Sequence, residues 1–124
     1  MERSISKAEE FIDCENTFVV EVDHKVVGFS NICESRDQDT SNCGEIQAIY
    51  ILKKYHRRCF GRKLVFKAVD KLRRDGFELV SLWVLSKNKE TKKFYELCGF
   101  TSDGNVKEHK LGEIEYLDRY VLKI

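Results

Sequence analysis

Three arginines, Arg57, Arg58 and Arg62, stand around one cysteine and one glycine in the stretch YHRRCFGRKL, Tyr55 to Leu64. Before it runs GEIQAIYIL (44–52), whose alternation reads as a strand. After it, Leu64, Val65, Ala68, Val69 and Leu72 fall on one helical face. A loop between a strand's C-terminal end and a helix start collects free backbone N–H groups at the positive end of the helix dipole. That is an anion site, and the arginines add cations at its rim. The chemistry would be the holding of a phosphate group. No GK[ST] follows and no GxGxxG is present, so neither a Walker loop nor a dinucleotide fingerprint is implied. The local residues alone read more readily as a plain basic connector.

The elements that must position this loop can be read in order. Residues 4–14 (SISKAEEFIDC) read as a short helix ending at the turn signal Glu15-Asn16. TFVVEV (17–22) and KVVGFSNI (25–32), separated by Asp23-His24, form a hairpin. A polar loop, ESRDQDTSN (34–42), leads into the strand 44–52. The helix beyond the arginines ends at Arg73-Arg74-Asp75-Gly76, with cations near its C-terminus and glycine past the end. ELVSLWVL (78–85) is a nearly unbroken apolar run, as expected of a strand covered on both faces. Ser86 or Asn88 caps a second helix that runs through Cys98, with Phe94, Leu97 and Cys98 inward and Gly99 as the stop. Strands near 106–111 and 115–123 close the chain around Leu111-Gly112-Glu113. The expected order is α-β-β-β-α-β-α-β-β, a mixed α/β (α+β) sheet with helices on its faces. Strand–helix–strand from 44 to 85 implies a parallel pair.

Composition narrows the function. The 124 residues contain no proline and no low-complexity segment, so one domain, 1–124, is expected. Lys+Arg 22 against Asp+Glu 21 leaves a net charge of +1, which argues against a nucleic-acid surface; any basic patch is local. No apolar run is long enough to span a membrane, the N-terminus lacks a signal-peptide core, and a cytoplasmic protein is expected. Five scattered cysteines without a CxxC pair read as free thiols. His24, His56 and His109 form no HxxxH or HExxH pair, so no metal site is expected.

The flanks of the basic loop carry more. GEIQAIYI before it, LWVLSKNKETKKFYELCGF after it and the paired strands at the end resemble the GNAT superfamily, the GCN5-related N-acetyltransferases. At the loop that family has [QR]xxGx[GA], matched by His56-Arg57-Arg58-Cys59-Phe60-Gly61; its Asn-x6-Tyr and following Gly-Phe are matched by Asn88, Tyr95 and Gly99-Phe100. The resemblance spans residues 17–124. It implies acetyl-CoA as co-substrate and direct acetyl transfer to a primary amine of an acceptor that the sequence does not name.

Roles follow from the resemblance residue by residue. Ile49, Tyr50 and Ile51 would hold the pantetheine arm through their backbone. The amides of Arg57, Arg58, Cys59, Phe60, Gly61 and Arg62 would hold the diphosphate, and Asn88 would bond the pantetheine. Tyr95 matches the general acid toward the leaving thiolate, and Glu45, placed before the loop like the catalytic glutamate of GCN5-type members, is the expected base. His56 is expected to leave its imidazole in solvent, and Trp83 to lie in the core. Cys59 departs from glycine; in right-handed helical conformation its Cβ is tolerable, with weaker cofactor affinity as the expected cost. The alternative function is a catalytically weakened acetyl-CoA-binding domain. Only residues 4–14 precede the first hairpin, where the family usually has a strand and helices. TFVVEV is therefore expected at a sheet edge and the acceptor cleft open on one side, and a homodimer through this hairpin or the helix before it is expected to cover the one and close the other.

Overall fold

A computed structural model describes residues 9–124, and the side chains of all of these except Glu9, Cys14, Arg57, Arg58 and Leu111. Seven strands form one sheet: β1 (Glu9–Cys14), β2 (Thr17–Val22), β3 (Lys25–Glu34), β4 (Cys43–Ile51), β5 (Leu79–Leu85), β6 (Thr101–Leu111) and β7 (Glu113–Lys123). Two helices, α1 (Phe60–Arg74) and α2 (Lys89–Leu97), connect β4 to β5 and β5 to β6. The strand order is β1-β2-β3-β4-β5-β7-β6. Every neighbouring pair is antiparallel except β4 with β5, as the strand–helix–strand reading required.

The chain's opening departs from the expectation. Residues 9–14 of the anticipated helix form strand β1, paired with β2 so that Phe11 lies opposite Val20; residues 4–8 lie outside the described residues. The helix-favouring composition of this stretch loses to the ladder that β2 offers and to Phe11, which packs edge-on against Phe60 at 6.3 Å between ring centroids. Consequently TFVVEV is an inner strand, and the ground for a dimer built on its exposed edge is gone. The β2–β3 hairpin is as read: Asp23 and His24 both take positive φ (53° and 66°), the backbone a two-residue turn needs to follow the strand twist.

Helix α1 buries the five positions its periodicity marked, together with Phe60. It lies over β2, β3 and β4, and Gly44 marks the closest approach: a Cβ there would stand 2.6 Å from a methyl of Leu72. Phe18, Val20 and Val22 of β2 and Val80, Leu82 and Val84 of β5 complete that core. Helix α2 is turned by one position relative to the expectation. Phe94 and Cys98 are half-buried, Leu97 is 77% exposed, and Tyr95 is the buried contact, set edge-on against Phe100. Phe94 meets the α1 start at Gly61, which rotates Leu97 outward.

Candidate active site

β4 and β5 run side by side for only three residue pairs, Cys43–Leu79, Gly44–Val80 and Glu45–Ser81. Beyond Glu45 they part. The cause lies in β4: Ile46 pairs with Ile32 and Ala48 with Asn31, so Gln47 is an extra residue that bends the strand away from its parallel neighbour. The outer part of β4 thus has β3 on one side and an open gap on the other. The Leu52 N–H donates to Val27 O at 2.8 Å, and antiparallel alternation then turns Tyr50 and Ala48 toward β3 and the backbone groups of Ile49 and Ile51 into the gap. One gap-facing group is already used, because His56 Nε2–H donates to Ile51 O at 2.8 Å. His56 is exposed, as expected, but its ring is not free. It fastens the basic loop to the end of β4.

The loop itself is a short 3-10 helix, Lys53–Arg58, that stops at Cys59. Cys59 stands at φ 62°, ψ 15°, in left-handed and not right-handed conformation, which corrects the sequence expectation. The turn from one helix into the next forces the backbone into the region where glycine is unstrained and a Cβ is not. α1 then starts without a side-chain cap and without an acidic residue in its first turn. Its first internal bond is from Lys63 N–H to Cys59 O, so the Gly61 and Arg62 amides have no partner within the helix, and Gly61 stands beside Ile51, where a Cβ would lie 4.0 Å from its side chain. A Cβ on Gly61 would meet the Phe94 ring at 3.3 Å, so this glycine lets α2 close onto the α1 start. The Arg62 side chain is exposed beside Phe66; the side chains of Arg57 and Arg58 lie outside the described set.

Two of the remaining candidates sit on α2. Asn88 is its N-cap, with Oδ1 accepting from Thr91 N–H at 3.1 Å, which leaves its amide N–H groups toward solvent. Tyr95 is 6% exposed, and among the described residues its hydroxyl has no hydrogen-bond partner. Burial pushes the phenol's ionisation well above its ordinary range, so it is a proton donor throughout neutral pH.

Glu45 lies where the two strands part. Because Gly44 faces Leu72 of α1, Glu45 points to the opposite face of the sheet. It is buried, and the β3–β4 loop grips it: Arg36 Nη2–H donates to Oε2 at 2.7 Å, and the Arg36 backbone N–H donates to Oε1 at 3.2 Å. The same face carries a network that no sequence motif marked. Arg119 of β7, 4% exposed, donates to Asp39, Asp103 and Asp37, with shortest contacts of 2.6, 2.6 and 3.3 Å. Trp83 Nε1–H donates to Asp37 at 3.0 Å, and Lys107 stands 4.2 Å over its ring. Trp83 is thus half-buried under the loop and outside the helix-side core. The available signal was an arginine in the middle of EIEYLDRYVLK, a strand otherwise able to alternate. Among the described residues Cys33, Cys43, Cys59 and Cys98 are free thiols, and no three His, Cys, Asp or Glu side chains are grouped to hold a metal ion.

A mixed sheet whose parallel pair opens above an uncapped helix start defines a class. The comparisons agree with it. Residues 2–100 match the model of the Acetyltransferase (GNAT) family, and the chain belongs to that family. It is 34% identical over 103 residues to an uncharacterised N-acetyltransferase of Methanocaldococcus jannaschii, the match covering 77% of this chain and 43% of the relative. It is 33% identical over 63 residues to another of Bacillus subtilis, covering 51% and 36%. The matches thus span less than half the length of these curated relatives. Among solved structures, Ard1 of Thermoplasma volcanium superposes with a TM-score of 0.77 at 20% identity, covering 89% of this chain and 71% of that one. A Bacillus anthracis chain solved in complex with acetyl coenzyme A gives 0.75 at 21% identity, covering 92% and 66%.

Proposed function

We propose that this chain binds acetyl coenzyme A in the gap between β4 and β5 and transfers the acetyl group directly to a primary amine. The observation that carries the reading is the junction of two features: the gap-facing backbone groups of Ile49 and Ile51, and the uncapped start of α1 beside them. An extended amide-bearing arm finds strand-like partners along β4, and a diphosphate finds amides and a helix dipole at its end. The Bacillus anthracis neighbour holds acetyl coenzyme A on the same fold, which supports this choice of ligand.

The reaction needs a neutral amine, a polarised carbonyl and a proton for the leaving sulfur. On this reading the amine nitrogen attacks the thioester carbon, the C–S bond breaks, and the electron pair leaves on sulfur. Tyr95, kept protonated by burial, gives the thiolate its proton. Glu45, at the parting of the strands, receives the ammonium proton whose loss makes the acceptor a neutral amine, and the second N–H proton, shed as the amide forms, replaces the one Tyr95 gives to sulfur. Acetyl coenzyme A should raise the melting temperature, because a ligand bound only by the native state stabilises it by mass action. With an amine panel scored for free thiol, Tyr95→Phe should lower kcat by about 10²–10⁴-fold and leave cofactor affinity unchanged. Turnover at the wild-type rate would make Tyr95 a packing residue. A second reading, cofactor binding without transfer, is favoured by the strained Cys59; it predicts the melting shift and no thiol release from any amine.

A further inference from the structure

The Arg36–Glu45 pair is asymmetric. The acid's side chain is 3% exposed and the base's is 59% exposed. Arg36 reaches in from solvent, and among the described residues its guanidinium has no ion-pair or hydrogen-bond partner besides Glu45. Its backbone is held separately. The next residue, Asp37, accepts from Trp83 and Arg119, and Asp39 takes two bonds from Arg119, so the loop is tied to β5 and β7 whatever the Arg36 side chain does. The Arg36 N–H bond to Oε1 belongs to that fixed part. Glu45 can therefore lose the guanidinium and keep its orientation. Beside it, Ser81 is the register partner and projects to the same face, with a fully buried hydroxyl that has no hydrogen-bond partner. Of the other titratable groups, Cys33 stands directly opposite Glu45 on β3 and Cys43 lies two residues before it on the same face of β4; β5 contributes none over Leu79–Leu85.

We propose that the Arg36 guanidinium is a removable occupant of a cation seat on Glu45, and that the acceptor enters as an alkylammonium ion which displaces it. This rests on the placing of the acceptor beside Glu45 in the proposed function. Once seated, the ammonium's N–H bond breaks, its proton passes to Oε2, and the electron pair stays on nitrogen as the nucleophile. Arg36 swings into solvent, where its charge costs little. The acceptor class is thus a primary amine on a flexible cationic arm. A neutral or anionic group would leave the buried carboxylate unpaired on removing Arg36.

The test needs no acetyl coenzyme A. The full chain is titrated with n-propylammonium chloride by calorimetry at neutral pH. If Arg36 fills the seat most of the time, Arg36→Ala should bind the probe about tenfold more tightly than wild type, since apparent affinity scales with the fraction of competent seats. Arg36→Gln, which keeps polarity without the charge, should gain similarly, and Arg36→Lys should stay near wild type. In the Arg36→Ala background, Glu45→Gln should remove the gain. Folded Arg36→Ala and Arg36→Gln variants that bind no more tightly, or more weakly, would overturn the proposal, as would a gain that survives Glu45→Gln. The two readings fail separately: a chain that releases no thiol with any amine would sink the proposed function, while the cation seat stands or falls by the titration alone.

Discussion

Cys59 occupies a backbone position that a glycine would hold without strain. A left-handed residue with a Cβ costs roughly 1–2 kcal/mol, and replacing it with glycine returns part of that as unfolded-chain entropy. Cys59→Gly should therefore stabilise the fold by up to about 1 kcal/mol in denaturant titration. It should also tighten acetyl coenzyme A binding by calorimetry, since the Cβ at the cradle is removed. Equal stability and equal affinity would mean the turn is not strained. At this scale much was legible. The loop, Asn88 and Tyr95 stand out by residue type and spacing; in the structure the loop follows the end of β4, Asn88 caps α2 and Tyr95 is the buried residue of that helix. The Cys59 conformation was not legible, because nothing in the letters says that one short helix ends where the next begins. The Arg36 grip on Glu45 was hidden for a similar reason: an arginine in a polar loop reads as solvated until the loop is folded back.

The β3–β4 loop depends on Arg119. Its hydrogen bond, aided by charge, holds the Asp39 carboxyl below the usual carboxylate range. Asp103 is lowered too: burial pushes it up, but the Asn105 N–H and Arg119 outweigh that. Carboxyls depressed in the folded state stabilise it fully above their unfolded values, near pH 4, and that stability is lost as pH falls through the lower folded values. Acidification below about pH 4 should therefore release the loop, with Trp83 fluorescence as the reporter, because its indole N–H donates to Asp37. Arg119→Met should lower stability at neutral pH by about 3 kcal/mol and flatten this acid limb. A variant as acid-sensitive as wild type would show that other carboxylates set the limb. The clamp escaped the sequence because its members lie up to 82 positions apart. Strand β1 escaped it because EEFIDC carries no decided period, and its pairing is dictated by β2. Strong local periodicity, as in α1, was sufficient alone.

At the scale of the molecule, β2 lies inside the sheet, and Val20 is fully buried between β1 and β3 under α1. Val20→Lys should unfold the chain, costing more than about 4 kcal/mol as an unpaired charge in the core. A cooperative melt within a few degrees of wild type by circular dichroism would contradict that packing. A mixed sheet with a single parallel pair could be foreseen from hydrophobic pattern and connection lengths. The parting of that pair could not, since it comes from the one extra residue at Gln47.

The three-pair seam between β4 and β5 has a further consequence. It divides the sheet into β1–β4, which carries α1, and β5–β7, which carries α2, and the chain passes between them through an exposed turn where Gly76 takes φ 97° and no atom lies near its missing side chain. A protein with so narrow an internal junction is suited to fragment complementation. Two polypeptides divided at Gly76 and produced together should reassemble, because the core that α1 and β5 share and the Arg119 bonds to the loop survive the cut. A molecule lying in the gap would touch both pieces and act as their bridge. Acetyl coenzyme A should then slow the separation of the fragments, read by loss of the heterodimer in dilution light scattering, and its removal should let them drift apart.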